Sequence, residues 1–259
     1  MTASTTTTPA LETRGLTIRF GGHVAVNDVS CRFTPGTLTS IVGPNGAGKT
    51  TYFNLISGQL RASSGQVIVG GEDITGLAPS ARTKRGLGRA FQLTNLFPQL
   101  TALENVRLAV QSRADAGWSL LKVWNTRRDL IEQAEAVLER VRLADKRHIA
   151  PKALSHGDQR KLEVALLIAM EPKVFMFDEP TAGMSVDEVP TILELINDIR
   201  QRGDATVLLV EHKMDVVRSL SDRIIVLHNG ALVADGDPAE VIASPVVQEA
   251  YLGVEVARD

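Results

Sequence analysis

Gly43-Pro44-Asn45-Gly46-Ala47-Gly48-Lys49-Thr50-Thr51 restricts the fold of this chain more than any other stretch. It fits G-x-x-x-x-G-K-[ST] and follows the apolar run Leu38-Thr39-Ser40-Ile41-Val42. Tyr52-Phe53-Asn54-Leu55-Ile56 comes next, with apolar residues suited to a helix lying on a sheet. Strand, loop and helix in that order are the context in which such a match means phosphate binding. Glycines let the backbone curl until its N–H groups point inward at phosphate oxygens, and the helix that starts there adds the positive end of its dipole. Lys49 then reaches the β- and γ-phosphates of a nucleotide, and the Thr50 hydroxyl ligates Mg²⁺. With average residue usage the pattern arises by chance in roughly one chain of this length in a hundred. Nucleotide binding is therefore the working expectation, and an incidental Gly-rich turn the weaker one.

Composition narrows the class. The chain has 259 residues, 44% hydrophobic and 22% charged, as in a globular protein with a sizeable core. Lysines and arginines number 28 against 30 acids, which provides no electrostatic footprint for nucleic acid or anionic lipid. The single cysteine, Cys31, excludes an internal disulfide and sits in an apolar run that suits a buried thiol. No run approaches the eighteen or so apolar residues needed to span a bilayer. Residues 1–10 are polar and Thr-rich without a basic or apolar signal region, and are expected to be a disordered tail. The cytoplasm is thus the expected compartment, with any membrane attachment supplied by partners.

Taken in order, the chain alternates strands and helices with one long helical interruption. Leu16, Ile18 and Phe20 alternate with polar residues, Gly21-Gly22 marks a turn, and Val24, Val26 and Val29 resume a strand. Gly58 is placed to stop the helix after the phosphate loop, and Pro79 to start a small one. Thr101-Ala-Leu-Glu104 reads as a capping box, and a second helix is expected from about Ser119 to Val141. Residues from about 93 to 165 are expected to form a helical subdomain inserted in an α/β core. After Pro172 the alternation returns: a strand to Phe177, a helix with Ile192, Leu195, Ile196 and Ile199 on one stripe, and a strand at Thr206–Val210. A helix near Met214, a hairpin turned at His228-Asn229-Gly230 and a helix from Pro238 complete it.

The run Val174-Phe175-Met176-Phe177 ends in Asp178-Glu179. A buried strand ending in acids delivers carboxylates to the edge of the sheet where a phosphate loop also sits. Asp178 suits Mg²⁺, directly or through water, and Glu179 suits polarising an attacking water. The plainer alternative is that the two acids cap the next helix. Together with Leu154-Ser155-His156-Gly157-Asp158-Gln159, these motifs resemble an ABC-type ATPase subunit, the nucleotide-binding part of an ATP-binding cassette transporter.

The resemblance covers residues 11–259 and implies a P-loop ATPase core with an antiparallel β subdomain and the inserted helical subdomain. It implies ATP and Mg²⁺ as ligands, with Asn45, Gly46, Ala47, Gly48, Lys49, Thr50 and Thr51 around the phosphates. Phe20 is implied to stack on adenine with Val26 against the ribose, although a strand Phe is also a common core residue. Gln92 is implied to ligate Mg²⁺ with Thr50 and Asp178, and to link the site to the helical subdomain. Ser155 and Gly157 are implied to contact the γ-phosphate held by a second such subunit, since the family binds ATP head to tail between two. His212 matches a switch histidine at the γ-phosphate, so the catalytic set is Glu179, His212 and Lys49. Three departures accompany the match: His156 for a usual Gly, Asp158 for a usual Gln, and Met184-Ser185-Val186 where the family has Leu-Asp/Asn-Pro.

Arg19-Phe20-Gly21-Gly22, the form Leu-Ser-His-Gly-Asp-Gln-Arg and the ending Glu249-Ala250-Tyr251-Leu252-Gly253 are similar to cassettes for import of branched-chain amino acids, or of urea and short amides. The stretch Ala114–Arg128, with Trp118 and Trp124, also occurs there. The implied partners are a second cassette, identical or related, two membrane permease subunits and, indirectly, a solute-binding protein, with no nucleic acid. The implied location is the cytoplasmic face of the membrane. The alternatives are the ATPase of lipopolysaccharide export and an ABC protein outside transport.

Overall fold

The computed structural model describes residues 8–90, 96–114 and 128–252. In chain order come β1 (Leu11–Phe20), β2 (His23–Phe33), β3 (Leu38–Val42), α1 (Lys49–Ser57), β4 (Ser64–Val69), β5 (Glu72–Asp73), α2 (Pro79–Lys84) and β6 (Leu87–Ala90). Then follow α3 (Ala102–Arg113), α4 (Arg128–Arg140), α5 (His156–Ala169), β7 (Val174–Asp178) and α6 (Val189–Gln201). The chain continues with β8 (Thr206–Val210), α7 (Met214–Leu220), β9 (Arg223–His228), β10 (Ala231–Gly236), α8 (Pro238–Ala243) and α9 (Pro245–Leu252). Two compact units form. One gathers the residues up to Leu87, Lys173–Glu179 and those from Ile199; the other gathers Gly88–Pro172 and Pro180–Asp198.

The first unit holds two sheets. β2-β1-β4-β5 is antiparallel, with Ile18 opposite Val26 and Phe20 opposite His23. In the other sheet β3 lies between β9 and β8, and β7 flanks β8, all parallel. Parallel strands covered on both faces have no solvent side, so their sequences run apolar without alternation. Accordingly every residue of β3, β7 and β8 is buried. The order β3-β8-β7 has a direct consequence for function. The chain leaves β3 into the phosphate loop, β8 into Glu211-His212 and β7 into Glu179, so three motifs far apart in sequence emerge side by side at the carboxyl edge.

Helix α1 is locked to this frame at several points. Tyr52, Phe53, Leu55 and Ile56 are buried in the main apolar core with Phe33, Met176 and Leu208, each such side chain contributing about 1.5–3 kcal/mol. The Tyr52 hydroxyl lies 2.8 Å from Thr13 Oγ1 on β1. Gly58 ends the helix in the left-handed region, at φ 81°, with its N–H on Leu55 O. The last carbonyls of a helix have no partner within it, and here a side chain from α2 adds to the backbone donors. Arg82 of α2, only 2% exposed, donates to Leu55 O and Ile56 O at 2.7 Å each, and also to Thr75 O and Leu77 O.

The second unit is built on α3, α4 and α5, which pack on one another. Thr101 and Glu104 form the expected capping box at the start of α3. Val106, Val110, Leu130, Ala134, Leu138 and Val141 are buried at helical spacing. The second helix, expected from about Ser119, is described from Arg128; Trp118 and Trp124 lie outside the described residues. Residues 180–198, which follow the acid pair in sequence, are gathered into this unit.

A candidate nucleotide-binding and hydrolysis site

The phosphate loop has the features of an anion cradle. Gly48, at φ 98°, is the residue before α1 and provides no side-chain cap, so the first amides of the helix are left for a ligand. A Cβ on Gly48 would stand 2.5 Å from Ala25 O, so no other residue fits there. Gly46, at φ 81°, faces open space, and its need for glycine is purely conformational. Lys49 is 6% exposed and donates to Gly43 O at 2.7 Å and Pro44 O at 2.9 Å, lying back along its own loop. Burial pulls its pKa below the ordinary lysine value, while Glu179 and Asp178 pull it back up. Asn45, Gly46 and Thr50 are exposed, Thr51 is half-buried, and Ala47 accepts a hydrogen bond from the Gly230 N–H. Phe20 stands 50% exposed at the β1–β2 turn, whereas Val26 is fully buried beneath Gly48.

Asp178 is the last residue of β7 and is 5% exposed. Glu179 adopts φ 49°, a left-handed conformation costly for a residue with a side chain, and is held there by its N–H on Val210 O at 2.9 Å. Such strain survives only where the surroundings over-determine it, and here it aims the carboxylate at β8's exit. Glu179 Oε1 lies 2.7 Å from His212 Nε2. His212 is itself placed by Glu211, 3% exposed, whose carboxylate accepts from the His212 N–H at 2.9 Å. Glu179 and His212 therefore meet, as residues from two strand ends, directly beside the strand that feeds the phosphate loop.

The donor set fits Mg²⁺. A threonine hydroxyl at Thr50 and a carboxylate at Asp178 are hard oxygen donors, and this ion favours one or two protein oxygens plus substrate phosphates over an all-protein cage. Among the described residues no group of three or more His, Cys, Asp or Glu side chains is placed to hold a metal. Gln92 lies outside the described residues.

Ser155 and Gly157 belong to the other unit, at the start of α5. Ser155 is the cap, its Oγ accepting from the Asp158 N–H at 3.2 Å. Asp158, unexpected at this position, is 5% exposed. Burial opposes its charge, but ion pairs to Lys146 (2.5 Å) and Lys161 (3.0 Å) outweigh burial and hold its pKa below the ordinary carboxylate value. It therefore ties α5 to the turn at Ala144–Lys146 through ion pairs, where a neutral glutamine would offer hydrogen bonds without the charge. His156 is exposed, with its ring facing Gly183.

Two residues of consequence went unread in the sequence. Arg82, which caps α1 through tertiary contact, left no local signal. Glu188 did leave one: Ser185-x-x-Glu188 is a capping pattern, and Glu188 Oε2 accepts from both the Ser185 N–H and hydroxyl.

Comparison with known proteins gives this geometry a family. The pattern described as ABC transporter matches residues 26–182, and one described as branched-chain amino acid ATP-binding cassette transporter matches residues 231–257. The chain is 38% identical over 250 residues to the high-affinity branched-chain amino acid transport ATP-binding protein BraF of Pseudomonas aeruginosa, covering 95% of this chain and 98% of that one. It is 37% identical, with the same coverage, to the corresponding LivG of Escherichia coli. The solved ADP conformation of MJ1267, an ATP-binding cassette of an ABC transporter, superposes with a TM-score of 0.82 at 29% identity, covering 96% of this chain and all of that one. A dimeric post-hydrolysis cassette, MJ0796 bound to ADP and phosphate, gives 0.75 at 26% identity over 88% of this chain and 98% of that one. With a family match across more than half its length and relatives spanning nearly all of it, the chain belongs to the ABC transporter family as an ATP-binding cassette.

Proposed function

We propose that this chain is the ATP-hydrolysing subunit of an importer of branched-chain amino acids. The observation that carries the reading is the meeting, on adjacent strand ends, of a glycine-capped phosphate loop, the acid pair Asp178-Glu179 and His212. Phosphoryl transfer to water asks a protein mainly for positioning and for charge at the γ-phosphate. Lys49 leaves its loop carbonyls to meet the phosphates, and the α1 amides take the remaining oxygens. Thr50, Asp178 and Gln92 would hold Mg²⁺, which would supply positive charge to the phosphates. Glu179 accepts a proton from the attacking water, while His212, bonded to it, fixes the carboxylate and faces the γ-phosphate. Phe20, exposed at the sheet's rim, stacks on adenine, and buried Val26 supports the loop.

Ser155 and Gly157 serve a nucleotide held by a second cassette, so the active form is a pair, as in the dimeric MJ0796 relative. Two membrane subunits complete the transporter. The helical unit offers them a cavity of about 400 Å³ lined by Phe97, Leu108, Ala109, Leu166, Leu167 and Met170, suited to the apolar face of a short helix. No described helix is long and apolar enough to cross a membrane. In this reading these partners hold the chain at the cytoplasmic face. The match at residues 231–257 favours amino-acid import over lipopolysaccharide export. Uptake of labelled leucine into vesicles carrying the whole transporter tests the reading. ATP-dependent uptake that disappears with Lys49→Ala supports it; uptake of urea but not leucine would move the solute to the amide class.

A further inference from the structure

Glu188 has no role in the site described above, yet it lies against that site's cross-subunit half. A Cβ built on Gly157 would stand 2.1 Å from Glu188 Oε1 and 2.4 Å from its carboxyl carbon, so the carboxylate rests directly on this glycine. Its other oxygen is held by the N–H and hydroxyl of Ser185 at 3.3 and 3.1 Å, which fixes the side chain in place. All three residues belong to the helical unit. Gly157 is in the first turn of α5, where backbone N–H groups and the helix dipole attract negative charge. The neighbouring residue Val186 is 87% exposed, so the same loop also presents an apolar side chain without cover in the single subunit.

We infer that Glu188 is an autoinhibitory stand-in for the γ-phosphate: in the separate subunit its carboxylate covers Gly157, and the partner's ATP must displace it before the pair can close. This rests on the reading of Ser155 and Gly157 as contacts to a partner's nucleotide. The Glu188 carboxylate and a γ-phosphate at the same glycine repel each other, while the Asp158 carboxylate of that turn is neutralised by Lys146 and Lys161. Closure therefore proceeds only when the incoming triphosphate outcompetes a tethered carboxylate. ADP, lacking the γ-phosphate, does not reach the glycine and leaves Glu188 seated. The contact thereby raises the ATP concentration at which subunits pair and sharpens the distinction between the two nucleotides.

The test uses the purified transporter with its membrane subunits. Glu188→Gln keeps the shape and the bonds to Ser185 but removes the charge, and Glu188→Asp keeps the charge while retracting it by one methylene. The inference expects the ATP concentration for half-maximal hydrolysis to fall about tenfold in Glu188→Gln and by less in Glu188→Asp. A value within twofold of the parent in Glu188→Gln overturns it, whether or not the melting temperature drops, and leaves Glu188 as a cap alone. So does a shift to higher ATP. Lys49→Ala in the same preparation separates the two levels. If the parent shows no hydrolysis that depends on Lys49, the proposed function and this inference fall together. If it does and Glu188→Gln is silent, only the inference falls.

Discussion

On the proposed reading the helices α1 and α5 each receive a phosphate at their start, and the two starts are finished differently. α1 follows Gly48, which offers no side chain to its amides, and has a buried lysine lying along the loop that precedes it. Its far end is held by Arg82 and its flank by Tyr52. α5 begins at Ser155, whose hydroxyl is already engaged as a cap, and the carboxylate of Glu188 rests on the glycine of its first turn. The first start is open and firmly braced, so it can hold a triphosphate by itself. The second is already occupied by a cap and a carboxylate, so on the inference above it receives a phosphate only in competition. On the proposed reading, a chain with one open and one covered anion site binds nucleotide alone but completes its chemistry only with a second subunit.

Substitutions that unbalance the two ends should have graded effects. Lys49→Ala removes the charge from the open end and should lower ATP hydrolysis by roughly 10²–10³-fold, the scale for one preorganised charge at a reacting centre, as read in a steady-state phosphate-release assay. Arg82→Met should act on the other end of the same helix. It leaves four carbonyl groups without their shared donor and should cost about 2–4 kcal/mol of stability, measured by urea unfolding, with no direct change at the phosphates. Ser155→Ala touches the covered end: losing the cap should cost about 1 kcal/mol. Loss of its hydroxyl from the partner's γ-phosphate should slow hydrolysis about tenfold, while binding of a fluorescent ATP analogue to the single subunit stays unchanged. If Ser155→Ala weakened that binding as much as Lys49→Ala, the contrast between the two ends would be lost.

How far the sequence foretold this depends on whether the cause is local. The phosphate loop, the capping box at Thr101, the stop at Gly58 and the turn at Asn229-Gly230 are each dictated by a few consecutive residues, and the structure has them where they were expected. Runs of four apolar residues likewise marked β7 and β8, because a strand covered on both faces cannot alternate, while β3 was marked by its place before the phosphate loop. The neighbouring placement of Glu179 and His212, 33 positions apart, follows only from the order of strands in the sheet. Asp158 looked like a departure from pattern until Lys146 and Lys161 appeared beside it. Arg82 could not be found at all, since a buried guanidinium on helix-end carbonyls is wholly a product of tertiary packing. Glu188 lay within reach, as the fourth residue of a Ser-x-x-Glu pattern, but its contact with Gly157 did not.

In the proposed mechanism Glu179 performs hydrolysis inside a pair closed by ATP. The direct measurement is the turnover and nucleotide retention of Glu179→Gln in the purified transporter. ATP binding should be normal, hydrolysis reduced by at least about 10³-fold, and ATP retained unhydrolysed in a tightly paired form. Turnover near that of the parent protein, or ATP released as freely as from single subunits, would contradict it.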